Sequence, residues 1–284
     1  MKNIKKIITL LFVLLLVCGC SSKGGSEEPA ADAAEDKKIT VGVNPVPHAE
    51  ILENAVKSVL AEQGWELEVV VYQDYVLPNE NLVAGELDAN YFQTLGYMNN
   101  QNDTHGWKLK AVKGVHIEPM GIYSDKYTSV VDIPDGAHIS VPNDEDNRTR
   151  AIQFLIDHGF LNQIEGELSA NTVNGNAEAN PHNYVIEELE AAQLPLALAD
   201  VDASVINGNY ALGAGLPESH PALEIESFDA ETSIRRTNFV VVVEGNENSE
   251  KIQALVAAIT SDAVQKYIDD TYKGAVITSF VDPQ

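Results

Sequence analysis

The segment VPNDEDNRTRAIQF, residues 141–154, carries the sharpest chemical signal in the chain. Asn143 or Asp144 stands where a helix N-cap is needed, ready to satisfy backbone N–H groups that lack intrahelical partners. A helix N-terminus attracts anions, and Arg150, in the first turns, can grip a carboxylate through two parallel hydrogen bonds. The carboxylate of an amino acid is a natural guest for such a site. The same residues also describe a capped surface helix with solvated arginines. A second segment, SVINGNYALGAG (204–215), sets Asn207 and Asn209 just after a strand-like run. Their amides offer donor and acceptor together, which suits the ammonium and carboxylate of a zwitterion, although Asn-Gly also favours a plain turn. Tyr72, Tyr75, Tyr91, Phe92 and Tyr97 fall close together. Such a group either walls an apolar pocket, where a thioether would be at home, or belongs to a core.

Other chemistries find no support. Seven histidines, at 48, 105, 116, 138, 158, 182 and 220, include no i, i+4 pair of the kind that holds a metal on a helix, so no metal and no cofactor are expected. No G-x-S-x-G elbow, P-loop or H-E-x-x-H occurs, and no local arrangement singles out a nucleophile and its base. A binding protein rather than an enzyme is expected. Lys and Arg number 18 against 43 Asp and Glu, for a net charge of −25. That balance excludes a nucleic-acid binder, which needs a basic footprint, and electrostatic docking onto anionic lipid.

The elements that must position these residues alternate between strand and helix. Ile39–Val43, Leu67–Tyr72 and Ala89–Phe92 read as strands, with helices over His48–Gln63, Pro78–Glu86 and Leu95–Asn102. The pattern restarts with strand His138–Val141, helix Asp144–His158 and strands Tyr184–Ile186 and Ala203–Ile206. It continues with strand Phe239–Val243 and helices Ser249–Ile259 and Asp262–Tyr272. Alternation of this kind predicts mostly parallel α/β sheets, and its restart predicts two lobes. The space between lobes, at the carboxyl ends of the strands, is the expected ligand site. His48, after Asn44 and the first strand, is placed there too.

The N-terminus reads as an address. Lys2, Lys5 and Lys6 precede the apolar run Ile7–Val17, which is too short to span a bilayer and fits a secretory leader. Cys18 and Cys20 are the chain's two cysteines. Gly19-Cys20-Ser21-Ser22 resembles a bacterial lipobox, which implies cleavage after residue 19 and lipidation of Cys20. Residues 20–37 contain no large apolar side chain and read as a flexible tether. Two acyl chains give a stable anchor where one is marginal.

Eight stretches together carry a resemblance. They are ITVGVNPVPHAEIL (39–52), DYVLPN (74–79), ELDANYFQ (86–93), VHIEPMGIYS (115–124), VPND (141–144) with Asn147, Arg150 and Ala151, EAAQLP (190–195), VINGNYA (205–211) and YKGAVITSF (272–280). In this order they resemble the methionine-binding lipoproteins, the substrate-binding subunits of methionine ABC importers. The resemblance implies a two-lobe, type II-like periplasmic-binding-protein fold. Residues 38–118 with 239–284 would form one lobe and 119–238 the other, and the guest would sit in the cleft between them. Arg150 would hold the α-carboxylate with Asn147 beside it. Asn183 and Asn207 or Asn209 would meet the ammonium or carboxylate, and Tyr75, Tyr91, Phe92 and Tyr97 would pack the side chain. His116 and Glu118 would lie near hinge and rim. The implied partners are methionine or a related amino acid, an ABC permease with its ATPase, and a membrane reached through the lipid. The protein would be a monomer on the extracytoplasmic face.

The sequence also departs from the family pattern. Thr94 and Gly96 stand where His and Pro are common, Tyr91 where Phe is common, and Arg148-Thr149 where Glu-Gly is common. The side-chain wall is therefore altered. Another amino acid, a D-enantiomer or a short peptide stays open as guest, as does a surface antigen or adhesin with a vestigial cleft.

Overall fold

The computed structural model describes residues 37–228 and 230–283. The expected leader, Cys20 and the tether up to residue 36 lie outside them. Along the chain, β1 (Lys38–Val43) leads into helical turns at Pro45–Ala49 and Leu52–Val56 and then α1 (Lys57–Glu62). β2 (Glu66–Val71), α2 (Leu77–Val83), β3 (Ala89–Thr94), α3 (Leu95–His105) and β4 (Leu109–Ile117) follow. Next come β5 (Gly121–Tyr123), β6 (His138–Pro142), α4 (Glu145–Asp157), α5 (Ala170–Val173), β7 (Val185–Leu189), α6 (Leu194–Ala197) and β8 (Ala203–Ile206). Then α7 (Gly208–Gly213), α8 (Leu216–Ser219), β9 (Glu224–Ile225), α9 (Ala230–Arg236) and β10 (Thr237–Val243) precede α10 (Glu250–Ile259), α11 (Asp262–Tyr272) and β11 (Ile277–Thr278).

Two sheets result, a six-stranded one in the order β11-β4-β10-β3-β1-β2 and a five-stranded one in the order β7-β6-β8-β5-β9. Each has a parallel centre: β1 with β2 and β3, and β6 with β7 and β8. Both are more mixed than the alternating pattern predicts. β10 is antiparallel to β3 and β4, and β5 is antiparallel to β8 and β9. The cause is the path of the chain. It leaves the larger sheet through β4 and re-enters it through β10 alongside, so the outgoing and returning strands must oppose one another.

The residues of β10 explain its central place. Its run Asn-Phe-Val-Val-Val-Val is continuously apolar after Asn238 because both faces are covered. Val240 and Val242 pack with Ile51, Leu52, Val56, Ile252 and Leu255, while Phe239 and Val241 pack with Leu82, Met98 and Leu109. Each such burial contributes about 1.5–3 kcal/mol. In the smaller sheet Ile139, Val141 and Val205 meet Ile152 and Leu155 of α4. The first turns of α4 bury Asn147 and Arg150 as well, and buried polar side chains are the ones that call for a reason. Among the described residues no helix is long and apolar enough to cross a membrane.

Candidate functional site

The carboxyl ends of the parallel strands in both sheets deliver side chains to one place. Phe92, Gln93 and Thr94 come from the end of β3, Asn147 and Arg150 from the helix after β6, and Asn207, Gly208 and Asn209 from the turn after β8. With Tyr75, Tyr97, Glu118 and Asn238 they line a cavity with about 370 Å³ of space free of protein atoms, its mouth included. One wall is aromatic: Tyr75 lies 5.8 Å from Phe92 and 5.7 Å from Tyr97, ring centre to ring centre. The facing wall is Arg150 and a set of amides.

Arg150 is already half engaged. Its Nε donates to both carboxylate oxygens of Glu226 at 3.0 Å, and its Nη2 donates to Glu226 and to the Glu118 carbonyl oxygen, the latter at 3.3 Å. A carboxylate entering the cavity would have to meet the Nη1 side of the guanidinium or take the place of Glu226. Burial works against ionisation of Glu226, but the Arg150 charge and its hydrogen bonds outweigh it and hold the carboxyl below the usual range. Glu226 lies 76 residues from Arg150 in sequence, and no local pattern marks it.

A relay of amides orients the second anchor. Asp144 is the N-cap of α4, accepting from the Asn147 backbone N–H at 3.0 Å. Both of its carboxylate oxygens also accept from Asn147 Nδ2, at 3.0 and 3.1 Å. An ionised carboxylate only accepts, so Asn147 must turn its Oδ1 the other way, where it receives Nδ2–H of Asn207 at 2.8 Å. Asn207 Oδ1 is then left as a buried acceptor with no protein donor among the described residues. Leaving such an atom unpaired costs about 1–3 kcal/mol. A guest N–H, and an ammonium above all, would recover that cost. Burial raises the Asp144 carboxyl to about 6 against the bonds from Asn147, so it is ionised at neutral pH.

The aromatic hydroxyls are also placed. Tyr75 O–H donates to Asn209 Oδ1 at 2.6 Å, and Tyr97 O–H donates to the Tyr75 carbonyl oxygen at 2.9 Å. Thr94 serves as N-cap of α3 besides facing the cavity; its hydroxyl oxygen accepts from the Tyr97 backbone N–H at 3.4 Å. Gly208 begins α7 hard against the end of β4. A Cβ there would stand 2.6 Å from Glu118 Cβ and 2.7 Å from the Pro119 carbonyl oxygen, so only glycine allows this approach.

Two expected residues lie elsewhere. Side chains alternate across a strand, so β3 sends Phe92 into the cavity and Tyr91 into the core on the opposite face, where it is fully buried. Asn183 is exposed in a left-handed turn with φ of 55°, just before β7. The cavity lies at the far, carboxyl end of that strand and its parallel neighbour β6, so Asn183 cannot reach it.

Tyr91 instead belongs to a buried polar cluster with His48, His116, Glu118 and Asn238. His48 Nε2–H donates to Asn238 Oδ1 at 3.1 Å, His116 Nε2 lies 2.6 Å from Glu118 Oε1, and His116 Nδ1 is hydrogen-bonded to the Tyr91 hydroxyl. His48, His116 and Glu118 bring their donor atoms within 4.8 Å of one another, and those atoms are engaged in these hydrogen bonds. Burial pushes the imidazoles of His48 and His116 down, to about 4 and about 3, the former against the pull of Glu118. It pushes the Glu118 carboxyl up to about 7, against His48 and Arg150. Only Glu118 and Asn238 of the cluster reach the cavity. Gln93, Asn238 and Glu226 are the members of the site that sequence patterns do not single out, although Gln93 adjoins residues that those patterns mark. Gly208 is marked by its Asn-Gly-Asn setting as a residue that turns the backbone at positive φ, but it starts α7 without one, and its need for glycine comes from the close approach to Glu118 and Pro119.

Comparison with known proteins places this geometry. Residues 39–280 match the family model described as NlpA lipoprotein. The membrane lipoprotein TpN32 of Treponema pallidum (strain Nichols) is 37% identical over 248 residues, covering 87% of this chain and 90% of that one. The D-methionine-binding lipoprotein MetQ of Escherichia coli (strain K12) is 34% identical over 248 residues, again covering 87% of this chain and 90% of that one. The solved structure of a nutrient binding protein from Burkholderia cenocepacia bound to methionine superposes with a TM-score of 0.75 at 34% identity, covering 85% of this chain and 100% of the other. The two sheets with a cavity between them are thus the two-lobe arrangement of periplasmic binding proteins, and the chain belongs to the NlpA lipoprotein family.

Proposed function

We propose that this chain captures methionine, or a closely related amino acid, and delivers it to an ABC importer. It does so as a lipid-anchored solute-binding protein on the extracytoplasmic face of a membrane, with Cys20 carrying the lipid. The observation that carries this reading is the pairing, on one wall of one cavity, of a buried guanidinium with an amide oxygen that lacks a donor. A positive group and an unpaired acceptor in one cavity suit a zwitterion. The carboxylate goes to Arg150, the ammonium goes to Asn207 Oδ1 with the Glu118 carboxylate behind it, and the side chain lies against Tyr75, Phe92 and Tyr97. Names borne by relatives, and the methionine bound in one solved neighbour, support the choice of guest.

The work is done by population shift. A guest that touches Phe92 and Tyr97 from the larger sheet and Arg150 and Asn207 from the smaller one favours the conformation in which both are within reach. In this reading 38–118 with 239–284, and 119–238, are the two bodies that approach, and the permease engages the closed form of a monomer. No bond is made or broken. Thr94 beside Phe92 makes the side-chain wall partly polar, which leaves room for a guest more polar than methionine. The test is to strip bound ligand by partial unfolding and titrate L- and D-methionine by calorimetry. Submicromolar binding of one enantiomer is expected. No heat from either, in a protein that melts cooperatively, would overturn the guest, and mass spectrometry of what the unstripped protein carries would then name the right one.

A further inference from the structure

Gly96 and Asp146 face each other across the cleft. Gly96 lies in the first turn of α3, which packs on the larger sheet, and Asp146 lies in the first turn of α4, which packs on the smaller one. A Cβ on Gly96 would stand 2.8 Å from Asp146 Cγ and Oδ2, and nearer still to Oδ1. The space a side chain at 96 would need is thus filled by the Asp146 carboxylate. Its side chain is only 14% exposed, and Oδ2 accepts no hydrogen bond among the described residues. Two helix N-termini converge on the carboxylate, and Arg236 Nη1 lies 3.9 Å from Oδ2. Arg236 Nε is in turn 3.6 Å from Glu226, the acid that grips Arg150. Positive and negative groups therefore alternate from the cavity wall to the seat on α3: Arg150, Glu226, Arg236, Asp146.

We propose that Gly96 and Asp146 form the interlock that sets the closed cleft, and that the alternating charges through Arg236 and Glu226 tie this interlock to the guest's carboxylate at Arg150. The inference rests on the carboxylate reading of Arg150. A guest carboxylate shares the guanidinium with Glu226, and Glu226 is one of the two acids that hold Arg236 in place. Neither Gly96 nor Asp146 lines the cavity, so both act as positioning residues. Gly96 also accounts for its own identity here. Helix propensity alone would favour alanine at that position, and in the interlock its Cβ would have to push the Asp146 carboxylate aside.

The test is a double-mutant cycle on the full chain with Gly96→Ala, Asp146→Gly and the pair. It is read by methionine calorimetry and by hydrogen exchange of the first turns of α3 and α4 without ligand. Gly96→Ala is expected to weaken binding at least tenfold and to speed exchange of both turns. In the Asp146→Gly background, where the seat is vacant, the same substitution should cost less than twofold. Thermal melting of the ligand-free variants checks that each is folded. An unchanged Gly96→Ala protein, or an equal loss in both backgrounds, overturns the interlock. Should the parent chain fail to bind methionine, the proposed guest fails, and the exchange cycle, which needs no ligand, still decides the interlock.

Discussion

Arg150 and Asn207 illustrate two ways in which a buried polar residue is held for a guest. Arg150 is kept charged and in place by Glu226, so the two are one structural unit. Replacing Arg150 with alanine leaves the Glu226 carboxylate only Arg236 Nε at 3.6 Å and the Met120 backbone N–H at 3.2 Å, and breaking a buried pair costs up to about 3–5 kcal/mol. Urea unfolding of ligand-free Arg150→Ala should show a loss of that order, quite apart from any loss of binding; an unchanged midpoint would mean that Glu226 finds water. The pair's contribution also has a sign with pH. The Glu226 carboxyl is held below its ordinary 4.5. Its stabilisation is therefore fully present above pH 4.5 and is lost as pH falls through the lower folded value. Asn207 is the opposite case, since its Oδ1 satisfies nothing in the protein. Asn207→Ala should weaken methionine binding roughly 10- to 100-fold, the worth of one hydrogen bond to a charged group, and, because it also takes the Nδ2 donor from Asn147 Oδ1, lower the melting temperature by several degrees. Equal affinities for parent and variant would remove the ammonium from that oxygen.

At the scale of elements, the site is made by where strands end. β3 ends in a helix cap, β6 in a capped helix with a buried basic residue, and β8 in a glycine-started helix. Just after β4 comes Glu118, which joins the buried histidines to the cavity. The groups facing Glu118 come from several elements: His48 from the turns after β1, His116 from β4 itself, Arg150 from α4 and the Asn209 backbone N–H from α7. Its folded value of about 7 lies above the ordinary 4.5, so between these limits the folded protein holds more proton than the unfolded one. An ammonium beside Glu118 favours its ionised form, so binding must release a proton below pH 7. Affinity for methionine should therefore rise from pH 5.5 to 7.5 and level off above. Calorimetry in two buffers of different ionisation heat should count the proton released. Asp144, with its carboxyl at about 6, adds a lower step. Glu118→Gln should flatten the part of the profile near 7, and persistence of that slope in the variant would assign it to another group.

Over the whole molecule, the proposed guest would tie together two sheets between which the chain passes after β4 and returns before β10. A ligand that binds only the folded state stabilises it by mass action, by about 2.7 kcal/mol at a hundredfold excess over Kd. In a body of this size that raises the melting temperature by roughly 5–10 °C. Because the proposed contacts span both sheets, the shift should move a single cooperative transition rather than one half of a split curve. Scanning calorimetry with and without methionine would show it. A split transition of which only one part moves would place the guest on one half alone. With a net charge of −25, self-repulsion opposes compaction, so added salt should raise the melting temperature of the ligand-free protein.

The sequence by itself determined whatever depends on near neighbours. Apolar spacing marked β1, β2, β6, β8, β10 and α4 to within a few residues, the Asn143–Asp144 pair marked the start of α4, and Arg150 and Asn207 were already visible as polar residues at element ends. The order of eight stretches was enough to point to the family. Only the tertiary structure decided which face of β3 looks into the cleft, and so separated Phe92 from Tyr91. It alone brought Glu226 to Arg150 across 76 residues and Asn207 to Asn147 across 60, seated Asp146 on Gly96, and carried Asn183 to the wrong end of its strand. The physical reason is one of range. Helical and strand periods are set by backbone geometry within a few residues, whereas ion pairs, amide relays and interlocks are set by how separate layers stack. Stacking joins side chains that no local spacing relates.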